Sequence, residues 1–228
     1  MEHRRITLFA GHYGSGKTNI AVNYAIALAQ EGKNVCIADL DIVNPYFRTK
    51  DSADELEKAG VELISPQFAN SNVDLPALPQ ELYRVVEDKS KYAVLDIGGD
   101  DRGALALGRY TPQLLAEDNY EMLFVANFYR PLTRTPEEAL EVMQEIQQAG
   151  GLPFTGIVNN SNIGWDTTPE DIQATEEKAK QLSALSGLPL VMTTAEQQVA
   201  ARMPGVFPLT LQKKYFDVKE QNDGKDPY

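Results

Sequence analysis

The stretch ITLFAGHYGSGKTNIAV leaves a chain few choices of fold. Residues 6–10 are continuously apolar, the pattern of a strand buried on both faces. Six residues with glycine at positions 11, 14 and 16 follow, and Lys17 and Thr18 then open a run of helical period. In that run Ile20, Tyr24, Ala27 and Leu28 share one face, and Gly32 closes it as a C-cap. Strand, GxxxxGK[ST] and helix thus occur in the order that makes a phosphate-binding turn. Glycines let the backbone N–H groups of such a turn point inward, and the helix start adds positive potential. Lys17 supplies a point charge for the terminal phosphates and Thr18 a hydroxyl for Mg²⁺.

The rest of the chain repeats the alternation. Strand-like runs recur as NVCIA, VELIS, YAVLDI, EMLFVAN, TGIVNN and PLVMTT, with helical patterns between most of them. One helix is expected to start with Thr135 as N-cap and Pro136 in the first turn. It turns Leu140, Met143 and Ile146 inward and stops at Gly150. A second runs from Thr168 to Gly187 with the same grammar. This predicts an α/β fold, three-layer and doubly wound around a mostly parallel sheet. At 228 residues the expectation is a single domain over 1–218 and a polar tail over 219–228, with residues 70–80 forming a loop into a short helix.

Composition removes several classes. No apolar run is long enough for a membrane helix, and the short apolar stretch near the start leads straight into the phosphate turn, so it is not read as an export signal. One cysteine and two histidines provide no framework for disulfides, zinc or iron–sulfur clusters. Cys36, inside NVCIA, is read as a buried small hydrophobe, and a reducing cytoplasmic location fits. A net charge of -12 argues against a general nucleic-acid surface. An acidic chain that binds a nucleotide must concentrate its donors locally, which GHYGSGKT can do.

Two further segments carry chemistry. ADLD ends the second strand, and Asp39 and Asp41, alternating around Leu40, fall on one side at the strand's carboxyl end. In an open parallel sheet that edge is where ligands bind; a solvated acidic turn is the plain alternative. YAVLDIGGDDRG runs from apolar residues to Asp96, the shape of a strand whose carboxylate supports a metal-bound phosphate. Gly98 and Gly99 then form a segment able to respond to a terminal phosphate.

These elements together resemble the SIMIBI class of P-loop NTPases, within it the MinD/ParA-like members with a CobQ/CobB/MinD/ParA nucleotide-binding domain. The resemblance runs from Ile6 to about Gln198, with specificity in the three motifs. It implies a P-loop NTPase fold, with the nucleotide held by Gly11, His12, Tyr13, Gly14, Ser15, Gly16, Lys17, Thr18 and Asn19. It also implies catalytic roles for Lys17 and for Asp41, which would polarise the attacking water, and Mg²⁺ near Thr18, Asp41 and Asp96. An asparagine ending a late strand contacts adenine in relatives, and Asn159 or Asn160 in GIVNNSN looks similar. A guanine-reading NKxD is absent there, so ATP is expected over GTP.

The sequence departs from the family at His12 and Tyr13, where relatives often carry lysine and glycine. Histidine is shorter and carries a full charge only when protonated, so any homodimer is expected to form without strict dependence on ATP. VNPYFRTKD after Asp41 has no assignable counterpart; Arg48 there meets phosphate, a partner or solvent. Arg130 and Arg134 lie at a strand-to-helix loop on the ligand edge, either over the nucleotide or in solvent. Trp165 is a lid or a partner anchor, and LTLQKKYF is a short amphipathic stretch. The expected function is a cytoplasmic Mg²⁺-dependent ATPase that switches a protein partner, whose identity the motifs leave open. The alternatives are a small-molecule kinase or ligase similar to dethiobiotin synthetase, and a nucleotide-binding module with little turnover.

Overall fold

The computed structural model describes residues 3–40, 52–64, 85–99 and 101–212. Asp41, Arg48, the 70–80 segment and the 219–228 tail lie outside the described residues. All seven expected strand runs fold as strands. They are β1 (Ile6–Ala10), β2 (Val35–Asp39), β3 (Glu62–Ile64), β4 (Tyr92–Asp96), β5 (Tyr120–Ala126), β6 (Gly156–Asn159) and β7 (Leu190–Glu196). An eighth, β8 (Phe207–Leu209), follows. They form one sheet in the order β3-β2-β4-β1-β5-β6-β7-β8. Each of its pairings is parallel, so the sheet is more uniform than the mostly parallel one expected.

The described helices are α1 (Lys17–Gln30), α2 (Ala53–Lys58), α3 (Asp101–Gly108), α4 (Thr111–Glu117), α5 (Pro136–Gly150), α6 (Pro169–Ser186) and α7 (Gln197–Ala200). The period of two along β1 divides the core between them. Ile6, Leu8 and Ala10 pack in a cluster with Leu107 of α3, Met143 of α5 and Leu182 of α6. Phe9 faces the other way, into a cluster with Ile20, Tyr24 and Leu28 of α1 and Leu56 of α2. Three layers result, with helices on both faces. On α1, Ala21 and Ala25 are fully buried, whereas Ala27, expected on the inner face, is half-buried.

Local grammar sets the helix ends. Thr135 accepts a hydrogen bond from Glu138 N while the Glu138 carboxylate accepts from Thr135 N, and Thr168 and Asp171 repeat the arrangement. Each such cap is worth about 1 kcal/mol. Gly187 closes α6 in the left-handed region, as expected, at φ 72°. The stop of α5 falls one residue later than expected, because Gly151 rather than Gly150 adopts the positive φ. Cys36 is buried in β2, and burial, aided by the negative charge of Glu62, pushes its thiol up to about 11. It is a core residue, as read.

Candidate functional site

β1 is flanked by β4 on one side and β5 on the other. Connections leaving its neighbourhood run to opposite sides, which opens a crevice at the carboxyl ends of the strands. The GHYGSGKT turn sits there, between the end of β1 and the start of α1. It passes close over β5: a Cβ on Gly11 would lie 2.5 Å from the Val125 carbonyl oxygen. Gly16 caps α1 in the left-handed conformation at φ 92° and brings no side chain to the helix end. The first N–H groups of α1 therefore face the crevice uncapped by a side chain, the geometry that receives anions. Ser15 is buried, and its hydroxyl has no hydrogen-bond partner among the described residues. An unsatisfied hydroxyl inside a glycine cradle fits an oxyanion ligand.

Lys17 is buried and folds back over the turn, its Nζ donating to the His12 carbonyl oxygen at 3.2 Å. Gly99, three residues past Asp96, closes on this pair. A Cβ there would lie 2.7 Å from Tyr13 N and 2.8 Å from Lys17 Nζ. Asp96 ends β4 fully buried, in register with Asp39 at the end of β2. Thr18, in the first turn of α1, is buried as well. A hydroxyl and a carboxylate are hard oxygen donors of the kind Mg²⁺ takes, with phosphates and water completing its shell. Thr18 and Asp96 therefore fit the metal role expected of them; Asp41 is not described.

A cavity of about 350 Å³ extends from the turn, with Tyr13, Gly14, Gly16, Lys17, Thr18 and Asn19 at its phosphate end. Asn160, Asn162, Ala195 and Glu196 line it from the ends of β6 and β7, and Leu209 and Leu211 add apolar wall. Trp165, 57% exposed, stands on its rim. The volume is in the range of small-molecule sites.

The two asparagines expected to read a base have other work. Asn159 is not part of the cavity wall. Its Nδ2 donates to Thr175 Oγ1 of α6, and its Oδ1 accepts from the Ser161 N and Oγ. At 0% exposure it serves the core, because it points to the opposite face of β6 from Asn160. Asn160 does border the cavity, but as a brace: Nδ2 donates to the Ser15 carbonyl oxygen at 2.6 Å, and Oδ1 accepts from Thr194 Oγ1 at 2.6 Å. Asn19 Oδ1 accepts from Gln212 N and so ties the closing wall to α1. His12 does not line the cavity; its Nδ1 donates to the Tyr13 carbonyl oxygen at 2.9 Å.

Sequence reasoning passed over Asn162, Glu196, Leu209, Leu211 and Gln212 as site residues. They come together through the β6–α6 loop, the end of β7, and β8 with the residues just after it, and no local motif marks them. Of the two arginines left open at the strand-to-helix loop, Arg130 lines the cavity and Arg134 does not.

Solved structures share this architecture. The chain matches cell division protein FtsY from Thermotoga maritima at a TM-score of 0.60 and 18% identity, covering 84% of this chain and 61% of that one. FtsY from Mycoplasma mycoides gives 0.55 at 17%, covering 86% and 62%. The signal recognition particle receptor FtsY from Elizabethkingia anophelis, solved in complex with GDP, gives 0.54 at 13%, covering 86% and 58%. The chain thus spans less than two thirds of the length of these neighbours, and the likeness at such identity is one of fold. Among proteins of curated function none matches the sequence. The family model of the CobQ/CobB/MinD/ParA nucleotide binding domain matches residues 6–190, from the first strand to the seventh. The matched range includes the phosphate turn and the Asp96 strand end, and the chain belongs to the CobQ/CobB/MinD/ParA nucleotide-binding domain family.

Proposed function

We propose that the protein is a Mg²⁺-dependent ATPase that acts as a conformational switch on a protein partner. The observation that carries this reading is the contact of Gly99 with Lys17 and Tyr13. The segment that follows Asp96 rests on the lysine that grips the terminal phosphates, so loss of a phosphate at Lys17 is felt directly by that segment. Thr18 and Asp96 would hold Mg²⁺, which when bound neutralises charge on the phosphates. Asp41 keeps the proposed role of orienting the attacking water, and Asp41 joins Thr18 and Asp96 as a proposed metal contact. ATP is favoured over GTP because NNSN lacks the lysine and aspartate of a guanine-reading pair. With Asn159 and Asn160 engaged inside the fold, the base is left to Asn162, Glu196 and the apolar wall.

Trp165 is the single tryptophan of the chain and stands at the cavity rim, so its fluorescence reports binding. Titration with Mg²⁺-ATP should change its emission, and GTP is the comparison to run because one fold relative holds GDP. Lys17→Ala should weaken ATP by about a hundredfold, the loss of about 2.7 kcal/mol of charge-assisted hydrogen bonding. Undiminished affinity in that variant would remove the phosphate assignment. Phosphate release without any added metabolite supports the switch, whereas ADP formation that needs a small carboxylate supports a kinase or ligase.

A further inference from the structure

Arg130 stands on the cavity wall in a way that a solvated loop residue has no need of. It follows β5, and its Nε donates to the carbonyl oxygen of Gly14, inside the phosphate turn, at 2.9 Å. A guanidinium anchored by Nε still carries both terminal nitrogens in its plane, a fork matched to two phosphate oxygens. Among the described residues no carboxylate forms an ion pair with it. Lys17 and Arg130 are the two cations among the described residues that line the cavity.

Its backbone is held as firmly as the turn it touches. Arg130 N donates to the Asn127 carbonyl oxygen at 3.1 Å, and Thr133 N returns a bond to the Arg130 carbonyl oxygen at 3.2 Å. Pro131 follows at the start of a 3₁₀ turn, Pro131–Thr133. Asn127, fully buried, joins this loop to the next, its Oδ1 accepting from Tyr129 N and its Nδ2 donating to the Asn162 carbonyl oxygen. Tyr129 pins the loop to α6 through its hydroxyl, which donates to the Asp171 carbonyl oxygen at 2.9 Å. A cation fixed before its ligand arrives loses little freedom on binding, and preorganised charge is what stabilises phosphate charge most effectively.

We propose that Arg130 binds the terminal phosphate of the nucleoside triphosphate from within the same chain. It joins Lys17 as a second phosphate-gripping cation. The proposal rests on the nucleotide reading above and adds to it that one copy of the chain carries both charges. Turnover per molecule then does not require a second subunit to deliver a cation.

The test is a comparison of ATP and ADP affinities for the wild type, Arg130→Gln and Arg130→Lys, by calorimetry and Trp165 emission, with thermal melting to show that each variant is folded. Arg130→Gln should weaken ATP by about tenfold or more and ADP by less than about threefold, with Arg130→Lys intermediate for ATP. Wild-type turnover per molecule should stay constant on dilution. Equal weakening of ATP and ADP would mean that Arg130 merely braces Gly14, and that result overturns the proposal, as does unchanged affinity for both. Either leaves the nucleotide reading standing. A wild type that binds neither nucleotide removes that reading too.

Discussion

Arg5 and Arg130 sit at opposite ends of the same sheet and are treated in opposite ways. Arg5 precedes β1 and is 7% exposed. Its Nε pairs with Glu117, and its terminal nitrogens donate to the carbonyl oxygens of Val85, Val86, Asp88 and Lys91. Every acceptor lies just before a strand, in the segment leading to β4 or at the end of α4 before β5. Arg130 lies past the end of β5, half-buried, and its guanidinium bonds through Nε to the phosphate turn. At the amino-terminal end the cation is spent on holding strands together. At the carboxyl-terminal end its donors face a cavity. The contrast shows that an arginine's surroundings, more than its charge, separate a structural post from a ligand site.

The largest effect that can break this comparison is predicted at the structural end. Arg5→Met keeps the bulk but takes the guanidinium from the Glu117 carboxylate, which keeps only the exposed Lys89, and from four carbonyl oxygens, of which Asp88's retains the Lys91 N–H. Breaking a buried pair in this way costs about 3–5 kcal/mol. Urea unfolding should show that loss, while ATP affinity at a temperature where the variant is folded should match the wild type. A variant as stable as the wild type would mean that the amino-terminal end is held by its apolar core alone.

The two ends also differ in how far the sequence discloses them. The phosphate turn was legible because its glycines, Lys17 and Thr18 are consecutive and their roles are local. So were the seven strands, which are nearly continuous apolar runs, and the helix starts at Thr135 and Thr168, each followed by a proline in the first turn. Arg5 was not legible as a buried post: HRRITLF reads as a polar start, and the partners come from around residues 85–91 and 117. Asn159 and Asn160 are adjacent and identical, yet period two sends one to Thr175 and the other to Ser15. Neighbours supplied by the fold, and no pattern in GIVNNSN, decide which does which. β8 is three residues long with Pro208 inside it, a poor strand pattern in a single sequence.

A smaller effect sharpens the comparison through pH. Burial alone would raise the Glu117 carboxyl, but the Arg5 hydrogen bond and charge, helped by Lys89, hold it below its ordinary value of 4.5. A carboxyl whose folded value is depressed contributes stability that is complete above the ordinary value. It is lost as pH falls through the lower, folded value. The wild type should therefore lose more stability than Arg5→Met between about pH 5 and pH 3, read from unfolding midpoints in a single denaturant. Parallel losses in the two proteins would show that other carboxylates dominate acid unfolding.

The smallest expected effect belongs to Arg134, and it separates contact from field. Arg134 lies four residues beyond Arg130 at the mouth of α5, carries the same charge, and is exposed. Its backbone bonds on both sides: N donates to Glu138 Oε2, and the carbonyl oxygen accepts from Lys178 Nζ. Arg134→Ala removes none of these. If a general positive field over the sheet edge held the phosphates, removing either arginine would weaken ATP comparably at low salt. If the fork of Arg130 holds them by contact, Arg134→Ala should change ATP affinity by less than about twofold, consistent with surface substitutions within about 0.5 kcal/mol. Raising ionic strength should shrink even that, since about 0.15 M salt screens exposed charges beyond about 8 Å. Calorimetric titration of ATP into Arg134→Ala at low and physiological salt decides between them. A loss in Arg134→Ala as large as that in Arg130→Gln would replace the contact by a field.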